Sequence, residues 1–185
     1  MTLTLDTTIS GVNANSYATI ATLDGILIAD PGATAWFALG AEGVESEPKK
    51  GIAIKGTWVL DTYMDYHGYP TTDTQNLQFP RQGCYDRKRM RYVSSQLPEW
   101  VSYLDPNTIP KELVHALAML CKHMAESDRL IADPPSEIQT DSLGSLSTTY
   151  FKSGWKHQII PDDVFYIINF LGQRVNSKSI ELRRG

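Results

Sequence analysis

Apolar residues recur at helical spacing near the beginning of the chain. Between about Thr19 and Ala29 they occupy positions 20, 23 and 27, and Pro31-Gly32 ends the pattern. Residues three and four apart share one face of a helix, so this spacing predicts the first helix. A short apolar segment, 35–39, follows it. Before it, an alternation of apolar and polar residues predicts a strand that carries Leu3, Leu5 and Ile9.

The second helical segment contains one proline and two glycines that constrain it. Pro48 suits its first residue, because the first backbone N–H groups of a helix have no partner within the helix. Gly51 and Gly56 each weaken an isolated helix by up to about 1 kcal/mol. We therefore expect a neighbouring backbone to approach this helix closely and support it. Its apolar side carries Ile52, Val59 and Tyr63, with Trp58 and Leu60 nearby.

The clearest pattern belongs to a third helix, predicted from Pro110 to about Arg129. Its apolar stripe consists of Leu113, Leu117, Leu120 and Met124. A last helix is predicted to begin at Pro161 and to bury Val164, Ile168 and Leu171. Between these helices, alternating residues predict a strand that pairs in a hairpin or with a neighbouring chain; it contains Leu146, Thr148 and Tyr150.

These elements predict a mainly α protein, a small helical bundle with a long inserted loop, a short strand or hairpin element and an extended C-terminal tail. The helical domain covers residues 1–173, with the loop at 65–108 and the strand or hairpin region at 136–152. Loops of that length usually bind a ligand or make contacts outside their own domain. Residues 174–185 contain too few large apolar groups to fold alone and form the tail.

Charge and hydropathy exclude several broad classes of protein. The net charge is -4 and the pI is near 5.5, so the overall charge attracts neither nucleic acid nor an anionic membrane. No segment approaches the roughly 20 apolar residues that cross a bilayer, and the N-terminus has no secretory signal pattern. Cys84 and Cys121 lie in unlike contexts, which does not indicate a disulfide. We expect a soluble protein of a reducing compartment such as the cytoplasm.

Common catalytic and metal-binding motifs are missing from the sequence. It contains no Gly-x-Ser-x-Gly elbow, no phosphate-binding Gly-rich loop and no His-Glu-x-x-His. His115, Cys121 and His123 share one predicted helix, but positions 121 and 123 project about 200° apart and cannot chelate one ion together. Asp162 and Asp163 begin a helix, where carboxylates stabilise the positive end of the dipole. The sequence therefore predicts no enzyme, no metal site and no cofactor.

The segment from Arg81 to Tyr92 differs in charge from the rest of the chain. It holds five basic residues against one acidic residue, Asp86, which gives a local charge of +4. Basic residues interleaved with Tyr85 and Tyr92 can contact phosphates and stack on the bases of single-stranded DNA. A solvated loop and a contact with an acidic partner protein remain open as alternatives. The basic residues that follow Arg81 are Arg87, Lys88, Arg89 and Arg91.

Several short motifs occur in a fixed order along the chain. They are Ala14-Asn15-Ser16-Tyr17, Leu60-Asp61, Thr74-Gln75-Asn76-Leu77-Gln78-Phe79-Pro80-Arg81, Ile109-Pro110 and Gly144-Ser145-Leu146-Ser147-Thr148-Thr149-Tyr150. With these motifs, residues 14–152 resemble the head-to-tail adaptor, or head completion, proteins of tailed phages, some of which are labelled DnaT-like single-stranded DNA-binding proteins. The chain departs from that pattern at Tyr66-His67-Gly68, where many relatives have Trp, and in its longer basic loop.

The resemblance implies a structural virion protein of the head-tail interface, made in the host cytoplasm, with no catalytic site. Such adaptors form a dodecameric ring under the portal protein, extend the DNA channel and present a surface to a tail or nozzle protein. Double-stranded DNA passes through the ring without being read, and no membrane is involved. In such adaptors the tail commonly engages the portal, and the matching residues here are Arg174, Lys178, Ile180, Leu182, Arg183 and Arg184.

The sequence leaves two functions to compare. As an adaptor, the chain contacts a tail protein or DNA through Arg87, Lys88, Arg89, Arg91 and Tyr92. The alternative is a single-stranded DNA-binding module that uses the basic loop 81–92. The remaining motif residues are expected to be structural, namely Asp61, Gln75, Phe79, Pro80 and Arg81. We expect Asp61 and Arg81 to form a partly buried ion pair that holds the long loop on the bundle, and Phe79 and Leu77 to belong to the core.

Overall fold

The computed structural model describes residues 2–86, 103–127, 140–143, 146–149 and 159–175. These residues form five helices and six short strands, which confirms the predicted mainly α fold. The helices are α1 (Ile20–Leu27), α2 (Thr34–Ala38), α3 (Glu47–Tyr63), α4 (Lys111–Glu126) and α5 (Asp162–Ile168). The strands are β1 (Met64–Tyr66), β2 (Tyr69–Pro70), β3 (Arg81–Gln82), β4 (Thr140–Leu143), β5 (Leu146–Thr149) and β6 (Gly172–Arg174). None of these five helices is long and apolar enough to span a membrane.

Helix α4 lies at the centre of the packing and contacts α1, α2, α3 and α5. Its stripe of apolar residues is buried as predicted, since Leu113, Leu117 and Leu120 are fully buried and Met124 nearly so. Burying one such side chain contributes roughly 1.5–3 kcal/mol relative to leaving it in water. The stripe explains why this helix, the most clearly predicted one, organises the core.

Helix α1 confirms the first predicted helix over a shorter range. Thr19 is its N-cap, and the Thr19 hydroxyl accepts a hydrogen bond from the backbone N–H of Thr22. This bond satisfies one of the N–H groups that lack a partner at the start of a helix. The apolar residues at positions 20, 23 and 27 are fully buried, and so is Trp36 of the short helix α2 that follows.

Helix α3 begins one residue earlier than predicted, with Ser46 as N-cap and Pro48 in its second position. Gly56 is explained by packing, because a Cβ at this position would lie 3.1 Å from Cδ1 of Leu117. The sequence predicts a neighbouring backbone at this position, but the close neighbour is a side chain of α4. The buried face differs in part from the predicted one. Val59 and Leu60 are buried, but Ile52 and Tyr63 are half-buried and Trp58 is exposed. The other buried residues of α3 are Lys49, Ala53, Gly56 and Thr57.

The strand predicted at the N-terminus is not formed. The Asn15 side chain accepts a hydrogen bond from the backbone N–H of Asp6 and donates one to the carbonyl of Thr4. The carbonyl of Asp6 also accepts hydrogen bonds from two backbone N–H groups at positions 15 and 16. These local bonds occupy groups that a strand would need for pairing. Leu3 and Ile9 are accordingly exposed. Of the alternating apolar residues, only Leu5 packs against the core.

The described strands form three two-stranded antiparallel sheets, β1–β6, β2–β3 and β4–β5. The hairpin β4–β5 confirms one of the two pairings predicted for the strand around residue 146. Strands β2 and β3 lie inside the predicted loop 65–108. A Cβ at Gly68 would lie 2.0 Å from the carbonyl oxygen of Gln82, so this close approach requires glycine. The part of that loop at 87–102 lies outside the described residues.

The C-terminal part of the fold extends one element further than predicted. Helix α5 follows Pro161 as expected, and Val164, Ile168 and Leu171 are buried. The predicted tail begins at Arg174, but the structure places Arg174 in β6, where it pairs with Met64. The backbone N–H of Val175 continues this pairing with a hydrogen bond to the carbonyl of Tyr63. Residues 176–185 lie outside the described residues.

Candidate nucleic-acid interface

Three of the sequence motifs meet in one hydrogen-bonded node at the end of α3. The hydroxyl of Tyr17 donates a hydrogen bond to Asp61 Oδ1 and accepts one from the backbone N–H of Phe79 at 3.2 Å. The backbone N–H of Gln78 donates to Asp61 Oδ2 at 3.1 Å. We call this arrangement the Tyr17–Asp61 node. It joins the segment before α1, the last turn of α3 and the segment before β3, which are far apart in the sequence.

Burial changes the acid-base properties of this node. It raises the pKa of Asp61 to about 6, although the hydrogen bonds from Tyr17 and Gln78 and the charge of Arg81 act in the opposite direction. The pKa of Tyr17 lies well above its usual value because the side chain is buried and faces Asp61. The node therefore holds a carboxylate whose charge is costly to bury.

Aromatic packing surrounds the node. The Phe79 ring makes edge-on contacts with the rings of Tyr17 and Tyr66, at centroid distances of 6.3 and 4.9 Å. Phe79 is buried and Leu77 packs against the core, which confirms the prediction that both are core residues. Such edge-to-face pairs add about 0.5–1.5 kcal/mol each to the effect of burial.

Arg81 does not form the predicted ion pair with Asp61. Its Nε donates to the carbonyl of His67 at 2.9 Å, its Nη2 donates to the carbonyl of Gly68 at 2.7 Å, and its Nη1 donates to Gln78 Oε1 at 2.6 Å. Gln78 connects the two charged groups, since its backbone N–H binds Asp61 and its side chain binds Arg81. The prediction failed because the spacing of residues along a chain does not reveal where backbone carbonyls converge.

The other residues of the third motif also bind backbone groups. The Gln75 side chain donates to the carbonyls of Leu77 and Pro80 at 2.7 and 3.0 Å. The Asn76 side chain donates to the carbonyl of Ala14 in the first motif at 2.8 Å. The peptide bond between Phe79 and Pro80 is cis. These contacts attach the motif segment, which leads to the basic loop, to backbone groups of the fold.

Two exposed tyrosines, Tyr85 and Tyr103, lie on either side of the part of the long loop that is outside the described residues. The backbone N–H of Leu104 donates to the carbonyl of Cys84 at 2.8 Å, and Tyr85 and Tyr103 form an antiparallel bridge. Their rings are stacked, with centroids 5.4 Å apart and an angle of 24° between the planes. Tyr85 is 39% exposed and Tyr103 is 56% exposed. We call them the tyrosine pair. Tyr85 stands out in the sequence beside the basic residues, but Tyr103 does not, because only the bridge shows that the two residues meet.

Positive and negative charges are divided unequally between the packed domain and the loop. Residues 2–86, 103–127 and 159–175 contain seven basic and fifteen acidic residues, whereas residues 87–102 contain four basic and one acidic residue. Most of those basic side chains are held by contacts within the chain, among them Lys49, Lys50, Arg81, Lys122 and Arg174. The packed domain thus offers few cations to a phosphate backbone. The predicted contact residues Arg87, Lys88, Arg89, Arg91 and Tyr92 lie outside the described residues.

A buried ion pair that the sequence did not predict connects α1 with α3. Lys49 Nζ lies 2.8 Å from Asp24 Oδ1, and both side chains are fully buried. Asp24 also accepts hydrogen bonds from Trp36 Nε1 at 2.6 Å and from the backbone N–H of Gly43 at 2.8 Å. The pair has no access to solvent and acts in packing. The sequence contains one indication that Lys49 is buried. Lys49 precedes Gly56 by seven residues, or two helical turns, and therefore lies on the same face of α3.

Of the residues considered for a metal site in the sequence, Cys121 is buried, His123 is half-buried and His115 is exposed. Within the described ranges, no group of three or more His, Cys, Asp or Glu residues can hold a metal ion. Cys84 and Cys121 are both buried and free, and burial raises the pKa of each thiol. His123 Nε2 lies 2.7 Å from Asp163 Oδ2, so this contact joins α4 to α5.

Of the six predicted tail residues, the structure places only Arg174. Its guanidinium carbon lies 4.2 Å from the centroid of the Phe165 ring. Its Nη2 donates to the carbonyl of Ile160 at 3.0 Å and to Asp162 Oδ1 at 2.8 Å. Arg174 thus anchors the end of the fold instead of belonging to an extended tail. Lys178, Ile180, Leu182, Arg183 and Arg184 lie outside the described residues.

Comparison with known proteins bears on one part of the sequence prediction. Residues 1–185 match the family model described as "Putative DnaT-like ssDNA binding protein". No curated protein and no solved structure matches the chain significantly. The family match supports the single-stranded DNA-binding alternative. It gives no information on the adaptor function. The match covers the whole chain, and the chain therefore belongs to the family of that description.

Proposed function

We propose that the chain binds single-stranded DNA, without catalysis, through the basic segment 81–92. The observation that carries this proposal is the division of charge. The packed domain is acidic and holds most of its cations in internal contacts, whereas four closely spaced basic residues follow Tyr85. This segment concentrates the attraction for phosphate in one part of the chain. Membership of a family described as ssDNA binding supports the same conclusion.

Binding of this kind is expected to tolerate any DNA sequence, because contacts to phosphates carry no sequence information. It should weaken with salt in proportion to the number of phosphate contacts. Four contacts to a single strand give a slope of about -3 in a plot of log affinity against log salt. Affinity should then fall by about 50-fold between 50 and 200 mM salt.

Neutralising the basic loop tests the proposal. Replacing Arg87, Lys88, Arg89 and Arg91 with glutamine is expected to lower the affinity for an oligonucleotide of about 30 nucleotides by more than about tenfold at 50 mM salt. The salt slope should flatten as well, since fewer counterions are released. Fluorescence anisotropy at several salt concentrations measures both. Lys111→Gln, at an exposed position of α4, is the control and should bind as the unchanged chain does. Absence of binding by the unchanged chain at 50 mM salt would exclude this function.

We propose the head-to-tail adaptor as a second candidate function, because the motifs that carry the resemblance converge in space. Residues 14–17, 60–61 and 74–81 meet in the Tyr17–Asp61 node and around Arg81. Proteins that share a fold need the residues that pack together in it, so motifs that meet in one packed node support the resemblance. In this function the chain forms a dodecameric ring in the virion with copies of itself, the portal protein and a tail or nozzle protein, and double-stranded DNA passes through the ring.

Removal of the C-terminal segment tests the adaptor function. Deleting residues 176–185 is expected to abolish attachment to the portal protein and to leave the melting temperature unchanged, because β6 ends at Arg174. Electron microscopy of the protein mixed with the portal protein shows attachment, and thermal unfolding shows stability. Arg174→Ala is the matched comparison and should lower the melting temperature, since it removes contacts to Phe165 and Asp162. Normal attachment of the shortened chain would contradict the adaptor function.

A further inference from the structure

We infer that Tyr85 and Tyr103 form a stacking site for unpaired nucleobases, and this inference rests on the proposed binding of single-stranded DNA. The two rings are nearly parallel, at 24°, and both are exposed. A nucleobase has a flat π-face of the same kind, so it can extend this stack whatever its identity. Bases within a duplex already stack on their neighbours and do not offer a free face, which restricts the site to single strands.

The tyrosine pair is held in place before any ligand arrives. The antiparallel bridge and the hydrogen bond from Leu104 to Cys84 fix the two backbones side by side. The Cys84 thiol donates to the carbonyl of His67 at 3.0 Å, and Leu104 packs against the core. Since Arg81 also binds the carbonyl of His67, the backbone that precedes Tyr85 is anchored at two residues. Little conformational entropy remains to be lost when a base stacks on rings that are already ordered.

The position of the pair in the chain also fits a nucleic acid. The four basic residues of the loop begin two residues after Tyr85. A strand whose phosphates contact those residues has its bases within reach of the tyrosine pair, because one nucleotide spans several ångströms. Stacking platforms that bind single strands combine aromatic rings with nearby cations in this way.

Other exposed aromatic residues of the described surface are not stacked on a parallel ring. Trp58 contacts Tyr63, but the two rings are perpendicular, at 90°, and lie on α3. Tyr69 and Tyr166 are more exposed than either member of the tyrosine pair, yet no parallel ring partner is found for them among the described residues. The tyrosine pair is therefore the part of the described surface whose geometry fits a stacked base.

The test compares DNA with bases to DNA without them. The probes are an oligonucleotide of thymidines and one of equal length in which the central positions are abasic. The unchanged chain is expected to bind the thymidine strand at least about tenfold more tightly. Tyr85→Leu with Tyr103→Leu should lose this preference and keep the salt slope set by the basic loop. Tyr85→Phe with Tyr103→Phe should retain the preference, because phenylalanine presents the same ring face.

Two controls separate the possible failures. Tyr69→Leu changes an exposed tyrosine outside the pair and should leave the preference intact, and thermal unfolding of each variant shows whether it folds. A preference that survives in the folded double leucine variant, or that is lost in the folded double phenylalanine variant, would overturn the stacking site while leaving DNA binding in place. Absence of binding to both probes by the unchanged chain would overturn the proposed function and the stacking site together.

Discussion

Replacing Asp24 with asparagine is expected to lower the free energy of unfolding by about 3–5 kcal/mol. Asp24 neutralises Lys49 in a fully buried pair between α1 and α3. The asparagine amide oxygen can still accept a hydrogen bond from the Lys49 ammonium, but it carries no negative charge to neutralise it. The other partners of the ammonium are the carbonyl of Ala41, at 3.2 Å, and the faces of two aromatic rings. A buried charge without a counter-charge is among the most destabilising changes that one substitution can make. Urea unfolding at pH 7 measures the loss.

The control for this prediction is the same substitution in a more exposed ion pair. Asp30→Asn breaks the contact with Lys122, whose atoms are partly accessible to water, and should cost clearly less than Asp24→Asn. Combining Asp24→Asn with Lys49→Met should cost less than the sum of the two single changes, because the double variant buries no charge. An Asp24→Asn variant as stable as Asp30→Asn would show that the buried pair does not hold α1 on α3.

Replacing Tyr17 with phenylalanine is expected to destabilise the fold by about 3 kcal/mol. The lost hydroxyl donates to the buried carboxylate of Asp61 and accepts from the N–H of Phe79. Hydrogen bonds to charged groups contribute about 1.5–3 kcal/mol, and a buried N–H without a partner costs about 1–3 kcal/mol. Tyr63→Phe, at a half-buried position outside the node, should change stability little under the same conditions. Equal stabilities of the two variants would show that the Tyr17–Asp61 node contributes nothing.

Stability should also depend on pH through Asp61. Its pKa is about 6 in the folded protein and 3.8 for an ordinary aspartate, so the folded state binds this proton more tightly than the unfolded state does. The contribution to stability therefore grows as the pH falls through 6 and is complete below about 4. It should reach about 1 kcal/mol between pH 7 and pH 5.

Asp61→Asn isolates this contribution because asparagine has no proton to bind. The difference in unfolding free energy between the unchanged chain and Asp61→Asn should change by that amount across the same pH interval. Tyr17→Phe removes a hydrogen bond that lowers the pKa of Asp61, so it should move the pH dependence to higher pH. Parallel stability curves for the unchanged chain and Asp61→Asn would contradict the raised pKa.

The helices were predictable because their evidence is local. The stripe of α4 repeats at intervals of three and four residues and becomes the centre of the core. Pro161 marked a helix start for a similar reason, since proline geometry acts within one turn. Prediction failed at the N-terminus, where alternation indicated a strand but Asn15 and Asp6 bind each other's backbone instead.

The candidate site was predictable only in part. The cluster of basic residues is visible in the sequence because it is continuous, and so is Tyr85 beside it. The second member of the tyrosine pair was invisible, since Tyr103 reaches Tyr85 only when the loop closes on itself. The partner of Arg81 was misjudged because the groups that bind the guanidinium are mostly backbone carbonyls, which every residue possesses.

By itself, the sequence determined where four of the five described helices lie, which residues supply the core of α4, and that the positive charge is concentrated in one loop of an acidic protein. Each of these follows from the order of side chains within a few turns of chain. The tertiary structure alone decided that Lys49 is buried against Asp24, that Asp61 and Arg81 are connected through Gln78, and that two distant tyrosines stack. These contacts depend on distances between segments far apart in the chain, which are set only when the whole core packs.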